Sequence, residues 1–242
     1  MLRLARSVAS QRALSKALAQ RRGVATVSSS AGSKEQDGRS LEAMTSAAVA
    51  LTGEFPAWLR TEMRTNHAGE FGAVEIYTGA LYAAAARSRM NLETDGGRMR
   101  LFAEHHMATE QAHLDIMLKL VPASNRTRLL PIWRAAALSL GFFPALAGPR
   151  CLYWTVASVE TFVEEHYQAQ IMRLREEKVL PEMTVLLERL CAEEVEHKNE
   201  AVEALFGSRD APEALSPGVV ARAWGSIVGV GSVAAVEASK LV

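Results

Sequence analysis

The sequence predicts an all-α protein built around a four-helix bundle. Its 242 residues are 49% hydrophobic, enough to fill a core, and the composition is dominated by alanine, leucine, glutamate and arginine. These residues lose little free energy on entering a helix. Four long stretches of this composition follow one another, separated by segments rich in proline, glycine or asparagine. Helices packed side by side are therefore expected, with no sheet.

Each predicted helix is bounded by residues that start or stop helices. The first is followed by the turn-rich segment 91–97, and the second by Pro122. The third starts at Pro149, which suits a first helical position, and stops before Pro181. The fourth stops at Gly207, a typical C-terminal cap. The predicted helices span residues 56–90, 98–120, 149–180 and 182–206.

Residues 1–30 are predicted to be a mitochondrial transit peptide. Their only charged residues are basic, serine is frequent, and the continuous apolar run of a secretory signal is missing. A disordered basic tail is the alternative. Residues 31–44 are predicted to be a flexible linker and residues 45–242 the folded domain. Without its first 30 residues the chain is mildly acidic, so no basic face for nucleic acid is expected.

Two apolar segments lie outside the four predicted helices. Residues 129–147, in the long crossover between the second and third helices, contain Pro131, Gly141 and Pro144. The other segment covers residues 216–242. Neither is uninterrupted enough to predict a membrane span, so both are predicted to lie at a membrane surface or to re-enter it. Packing on the bundle or in an oligomer interface is the alternative.

Two Glu-x-x-His pairs carry the predicted chemistry. They are Glu110-Gln-Ala-His113 and Glu194-Val-Glu-His197. Residues three apart project from the same face of a helix, so the two side chains of each pair can contribute to the same metal site. Glutamate is common, however, and the pattern is a weak signal by itself.

The position of two further glutamates strengthens the signal. Glu70 and Glu160 each lie on an apolar face of the preceding predicted helix. Asn91, at the turn, is midway between Glu70 and the first pair, and Lys178 is about midway between Glu160 and the second pair. Residues equidistant from a turn face each other in an antiparallel hairpin. Both hairpins should therefore place a glutamate opposite a Glu-x-x-His pair.

Four converging carboxylates would be costly to bury without cations. Carboxylate oxygens and imidazoles suit iron or manganese. One glutamate from each of two helices and Glu-x-x-His from the other two is the pattern of ferritin-like di-iron bundles. The alternative is a bundle whose glutamates are surface residues or ion pairs. The predicted metal ligands are Glu70, Glu110, His113, Glu160, Glu194 and His197.

Four segments resemble the motifs of the demethoxyubiquinone hydroxylase family: NHAGEFGAVEIY (66–77), EQAHL (110–114), TVASVETFVEEHY (155–167) and EEVEHKNEA (193–201). The resemblance implies a ferritin-like four-helix bundle with a long apolar crossover and an additional C-terminal helix. It also implies that Glu70 and His113 are terminal ligands of one iron, Glu160 and His197 of the other, and that Glu110 and Glu194 bridge the two. No catalytic residue beyond these ligands is implied. Glu164 or Glu165 stays open as an alternative to Glu160.

The resemblance further implies an activity and a location. Members of the family hydroxylate the ring of a demethoxyubiquinol, a polyprenyl benzoquinol, in the penultimate step of ubiquinone (coenzyme Q) biosynthesis. They use O2, two iron ions and electrons that come ultimately from NADH. They lie on the matrix side of the mitochondrial inner membrane and work with a lipid-binding partner. A homo-oligomer is compatible with the sequence. The alternative functions are a ferritin-like iron-binding protein and a lipid-presenting scaffold without catalysis.

Small residues and two tyrosines flank the predicted ligands. Ala68, Gly69, Gly72 and Ala73 would either admit a flat ring beside Glu70 or allow close helix packing. Tyr77 and Tyr167 each follow a ligand glutamate by seven residues and lie on its face. They are expected either to hydrogen-bond to the ligands or to serve as core aromatics.

Overall fold

A computed structural model describes residues 39–93, 95, 97–209 and 218–242, so the predicted transit peptide lies outside the described residues. No strand occurs in these ranges, and the predicted all-α class is confirmed. Short 3-10 turns lie at Thr52–Glu54 and Ala123–Asn125. The α-helices of the described residues are α1 (Leu41–Ala50), α2 (Ala57–Arg89), α3 (Arg98–Leu120), α4 (Leu130–Ala147), α5 (Pro149–Glu177), α6 (Pro181–Phe206) and α7 (Val219–Leu241).

The four long helices form the two predicted hairpins, α2 with α3 and α5 with α6. Asp95 lies just before α3, and its carboxylate accepts a hydrogen bond from the Met99 amide in the first turn at 2.8 Å. The turn after α5 places Lys178 and Leu180 at positive φ, 54° and 50°. Pro181 then occupies the first turn of α6, one residue before the predicted start of this helix.

The core consists of two clusters of buried apolar residues, one on each side of the predicted ligands along the bundle. Each of the four bundle helices contributes to both clusters, at positions about three to four turns apart. On α2, for example, Met63 lies in one cluster and Tyr77 in the other, with Glu70 between them. The polar layer is therefore closed off at both ends by close-packed side chains.

Helix α1 is a correction to the predicted organisation, because residues 41–44 were assigned to the linker. Ser40 caps this helix by accepting a hydrogen bond from the Ala43 amide at 3.2 Å. Met44 and Ala48 are buried in the core, and α1 packs on α6. A ten-residue helix has little stability alone, so this packing is what fixes it.

Helix α4 is also a correction, because it runs without a break through Gly141 and Pro144. Pro144 lies in its last turn, and Pro131 in its first turn, where proline is tolerated. Gly141 lies against α2: a Cβ there would be 1.8 Å from the Ile76 carbonyl oxygen. The prolines are therefore tolerated at the two ends of α4, and Gly141 permits a close helix crossing.

Helices α4 and α7 satisfy the length and composition of membrane spans, contrary to the sequence-based expectation. Their mean hydropathies are 1.4 and 1.6, and only 22% and 6% of their most apolar windows are buried. Length and composition do not distinguish a span from a helix that lies at a membrane surface. The structure therefore shows two long apolar helices that the bundle covers only in part.

Candidate metal centre

The six predicted ligands come together in the middle of the bundle, and each is at most 4% exposed. They form two groups, and within each group one donor atom of every residue lies within 4.8 Å of the others. Both groups contain Glu110 and Glu194. This sharing is what the bridging roles implied by the family resemblance require. The groups are Glu70, Glu110, His113 and Glu194, and Glu110, Glu160, Glu194 and His197.

The Nδ1 atoms of both histidines face the carboxylates. His113 Nδ1 lies 2.9 Å from Glu194 Oε1 and 3.7 Å from Glu70 Oε2. His197 Nδ1 lies 3.0 Å from Glu110 Oε1 and 3.4 Å from Glu194 Oε2. The i, i+3 spacing on α3 and α6 therefore delivers one imidazole nitrogen to each group.

Several donor atoms are buried without a well-directed hydrogen bond. They include both carboxylate oxygens of Glu110 and the Nδ1 atom of His197, although the two residues are close together. A buried polar atom without a partner costs roughly 1–3 kcal/mol, so such atoms need a physical explanation. Metal coordination would satisfy all three. Four carboxylates and two imidazoles form a donor set that fits iron or manganese.

Burial and mutual repulsion perturb the pKa values of the carboxylates. Burial and the neighbouring Glu194 raise the pKa of Glu110 to about 8 and raise that of Glu160 well above its ordinary value. Burial would also raise the pKa of Glu194, but the adjacent imidazoles of His113 and His197 lower it to about 2. Without a cation, the cluster must therefore retain protons on some of its carboxylates.

The histidines also hold protons when no cation is bound. Burial alone would lower the pKa of His197, but the Glu110 and Glu194 carboxylates raise it to about 11. Burial opposes protonation of His113 as well, and Glu193, Glu194 and Glu70 overcome it and raise its pKa. A metal ion would therefore displace protons from both imidazoles.

The alternative ligands on α5 point elsewhere. Glu164 forms an ion pair with Lys198, and Glu165 is exposed. Neither belongs to the two groups, whereas Glu160 belongs to one of them. The geometry therefore favours Glu160 in this position.

The two tyrosines have different surroundings. The Tyr167 hydroxyl donates a hydrogen bond to Glu70 Oε1. The Tyr77 hydroxyl is buried without a partner, and its ring stacks on His106 at a centroid distance of 5.6 Å. Tyr167 therefore orients a predicted ligand, whereas Tyr77 packs behind the cluster.

Two residues that touch the predicted ligand histidines were not identified from the sequence. Glu193 Oε2 lies 2.7 Å from His113 Nε2, and the His106 ring packs edge-on against the His197 ring at 4.5 Å. Both contacts join α3 to α6, which belong to different hairpins. Spacing along one helix face gives no signal for such contacts, although Glu193 directly precedes the predicted ligand Glu194.

An apolar cavity of about 370 Å³ connects the cluster with α4 and α7. Four of the predicted ligands, all of them glutamates, line its inner end. The small residues of α2 line one wall, and an added Cβ at Gly69 would meet no atom within 4 Å. Of the two roles considered for these residues, the structure therefore favours space for a ligand. The outer lining includes Trp133, Ala136, Ala137, Leu140, Ile227, Val228, Gly231 and Val236.

Comparison with known proteins identifies relatives. Residues 57–239 match the family of ubiquinone biosynthesis protein COQ7. The chain is 33% identical over 153 residues to a 3-demethoxyubiquinol 3-hydroxylase of Rhodospirillum rubrum, covering 62% of this chain and 66% of the relative. It is 30% identical over 144 residues to a protein of Dictyostelium discoideum named NADPH-dependent 3-demethoxyubiquinone 3-hydroxylase, mitochondrial, covering 58% and 62%.

A protein of the same name from Caenorhabditis elegans is 30% identical over 145 residues, covering 58% of this chain and 72% of that relative. The matches to the Rhodospirillum and Dictyostelium proteins span slightly less than two thirds of those relatives. The family match covers all four bundle helices and nearly all of α7. The chain belongs to the COQ7 family of ubiquinone biosynthesis proteins.

Proposed function

We propose that this chain is a mitochondrial hydroxylase of ubiquinone biosynthesis that acts on the ring of a 3-demethoxyubiquinol at a di-iron centre. One observation carries the proposal: the apolar cavity ends on the buried cluster of glutamates and histidines. A site for iron storage alone would not need an apolar approach. The names of the relatives supply the reaction class.

The proposed ligands are those of the two groups. Glu70 and His113 would hold one iron, Glu160 and His197 the other, and Glu110 would bridge them together with Glu194. When bound, the irons supply the redox chemistry that activates O2. The chain itself keeps water away with its two apolar clusters and orients Glu70 through Tyr167.

The cavity fits the head of a polyprenyl benzoquinol. Its volume of about 370 Å³ lies within the range of small-molecule sites, and its walls are mostly apolar, which suits the faces of a flat quinol ring. The isoprenoid tail would leave between α4 and α7. Both helices expose large apolar side chains, among them Phe143, Val220 and Val230.

Such exposed apolar surface favours contact with a lipid bilayer. We therefore propose that α4 and α7 contact the mitochondrial inner membrane from the matrix side. The mitochondrial names of the relatives support the compartment, in agreement with the predicted transit peptide. A lipid-binding partner that delivers the substrate remains part of the proposal, and no role for nucleic acid is proposed.

The reductant is proposed to be NADPH. The family resemblance implied NADH, which the comparisons do not support, because the mitochondrial relatives are named NADPH-dependent. NADPH and a proton would supply two electrons and two protons. One oxygen atom of O2 then enters the ring as a hydroxyl group, and the other leaves as water.

The first test is the metal content of the full chain beside a Glu110→Ala/Glu194→Ala variant. About two irons per chain are expected, lost in the variant while its helical circular dichroism persists. Hydroxylation of a short-tailed demethoxyubiquinol is then measured with NADPH and O2. A chain that binds no iron after anaerobic reconstitution would contradict the proposal and leave a lipid-presenting scaffold. Iron binding without hydroxylation would leave a ferritin-like iron-binding protein.

A Gly69→Phe variant separates the cavity from the metal centre. Gly69 lines the cavity, and no atom lies within 4 Å of an added Cβ there, so the new ring should occupy cavity space. Iron content should stay at the wild-type value while hydroxylation is lost. Ala192→Phe is the matched control, because Ala192 is exposed on α6, and it should retain both. Full activity of the Gly69→Phe enzyme would show that the substrate does not use this cavity.

A further inference from the structure

The imidazole of His113 lies between two carboxylates. Its Nδ1 atom faces the cluster, 2.9 Å from Glu194 Oε1, and its Nε2 atom lies 2.7 Å from Glu193 Oε2 on the other side. Glu193 does not belong to either group of converging ligand atoms. Its contact with His113 therefore needs a different explanation from that of Glu194.

We propose that Glu193 is a positioning residue, which holds His113 in the one tautomer and orientation that can bind metal through Nδ1. The assignment rests on the metal centre of the proposed function. An imidazole that coordinates through Nδ1 must present its lone pair there and carry its proton on Nε2. A carboxylate at Nε2 accepts that proton in a hydrogen bond, fixes the ring and increases the basicity of Nδ1.

Glu193 is itself held in place. Its second oxygen, Oε1, accepts a hydrogen bond from Arg189 Nε at 2.6 Å, one turn earlier on α6. Its side chain is 21% exposed and that of Arg189 is 44% exposed. Two consecutive hydrogen bonds therefore connect Arg189 at the helix surface, through Glu193, to the buried ring of His113.

His197 has no equivalent support among the described residues. Its Nδ1 atom faces Glu110 and Glu194, but no hydrogen bond to its Nε2 atom occurs in the described part of the chain. The His106 ring packs against it instead, at a centroid distance of 4.5 Å and an angle of 85°. Removing Glu193 should therefore weaken the metal position of His113 and spare that of His197.

The test is a cobalt(II) titration of the metal-free full chain, followed by the visible absorption of the bound ion. In Glu193→Leu, which removes the acceptor, one of the two sites should bind about 10- to 100-fold more weakly. Glu193→Gln keeps a neutral acceptor and should recover part of this loss. The control is Glu196→Gln on the same helix, whose side chain is 47% exposed and pairs with Arg209, and it should match the wild type.

Mössbauer spectra of 57Fe-loaded protein provide a second readout that does not depend on activity. The Glu193→Leu variant should change the signal of one iron and leave the other unchanged. If Glu193→Leu left both metal positions unchanged, or weakened metal binding equally at both, the proposed role of Glu193 would be wrong. The metal centre itself would not be contradicted. A wild-type chain that binds neither cobalt nor iron would overturn the metal centre and this assignment together.

Discussion

The contact between α2 and α4 depends on Gly79, and replacing this residue with alanine should destabilise the fold. A Cβ at Gly79 would lie 2.2 Å from the Leu138 carbonyl oxygen and 2.9 Å from the Phe142 amide nitrogen. Both are backbone atoms, so no side-chain rotation relieves the overlap. Normal contact requires α4 to move away by roughly 1 Å.

The expected magnitude combines two opposing effects. Overpacking in a close-packed region costs about 1–3 kcal/mol, and an overlap with two backbone atoms belongs at the upper end. Alanine in place of glycine within a helix returns about 1 kcal/mol. The Gly79→Ala variant should therefore lose about 2 kcal/mol in free energy of unfolding.

Gly69→Ala is the matched control, because it makes the same chemical change in the same helix. An added Cβ at Gly69 meets no atom within 4 Å, so only the helix propensity should count, a gain of up to about 1 kcal/mol. Urea unfolding followed by circular dichroism measures both variants against the wild type. If Gly79→Ala is as stable as Gly69→Ala, the close crossing of α2 and α4 is wrong.

Three further predictions concern the cluster and the apolar surface. The pKa of His197 is raised to about 11 without metal, so a metal ion that binds below pH 11 must displace a proton from this imidazole. Cobalt affinity should therefore rise from pH 6 to pH 8, and an affinity that does not change with pH would contradict this. Tyr167→Phe removes the hydrogen bond to Glu70 and should lower the free energy of unfolding of metal-free protein by about 1.5–3 kcal/mol; urea unfolding tests it. Val220→Asp/Val230→Asp on exposed positions of α7 should reduce flotation with lipid vesicles without changing iron content, and unchanged flotation would argue against membrane contact by α7.

The four bundle helices were predictable because their boundaries are set locally. Proline at 149 and 181 and glycine at 207 act through their own backbone preferences. Helix α1 was not predictable in this way, since ten residues contain too few turns for a clear pattern. Its stability comes from burial of residues such as Met44 against helices distant in sequence.

Gly141 and Pro144 show the limit of reading local preferences. Both residues disfavour helices, and their presence in the crossover suggested an interruption. In the structure only glycine fits at position 141, because the Ile76 carbonyl on α2 leaves no room for a Cβ. The need for glycine at this position therefore comes from a contact with another helix, which the local sequence does not reveal.

The convergence of the six predicted ligands was predictable for a different reason, since hairpin symmetry relates distant residues through their distance from a turn. Symmetry within a hairpin relates α2 to α3 and α5 to α6, but not α3 to α6. The contact of Glu193 with His113 crosses between hairpins, and so does that of His106 with His197. Such contacts emerge only when the two hairpins are docked.

The docking of the hairpins gives the site two different sides. Glutamates from all four bundle helices face the cavity, but His113 and His197 do not line it. The histidines lie instead where α3 meets α6, against Glu193 and His106. A ligand can therefore approach the carboxylate side while the imidazoles stay fixed by contacts that it does not touch. Changes in the cavity wall should accordingly alter substrate access at constant metal content, whereas changes at Glu193 should alter metal affinity at constant cavity shape.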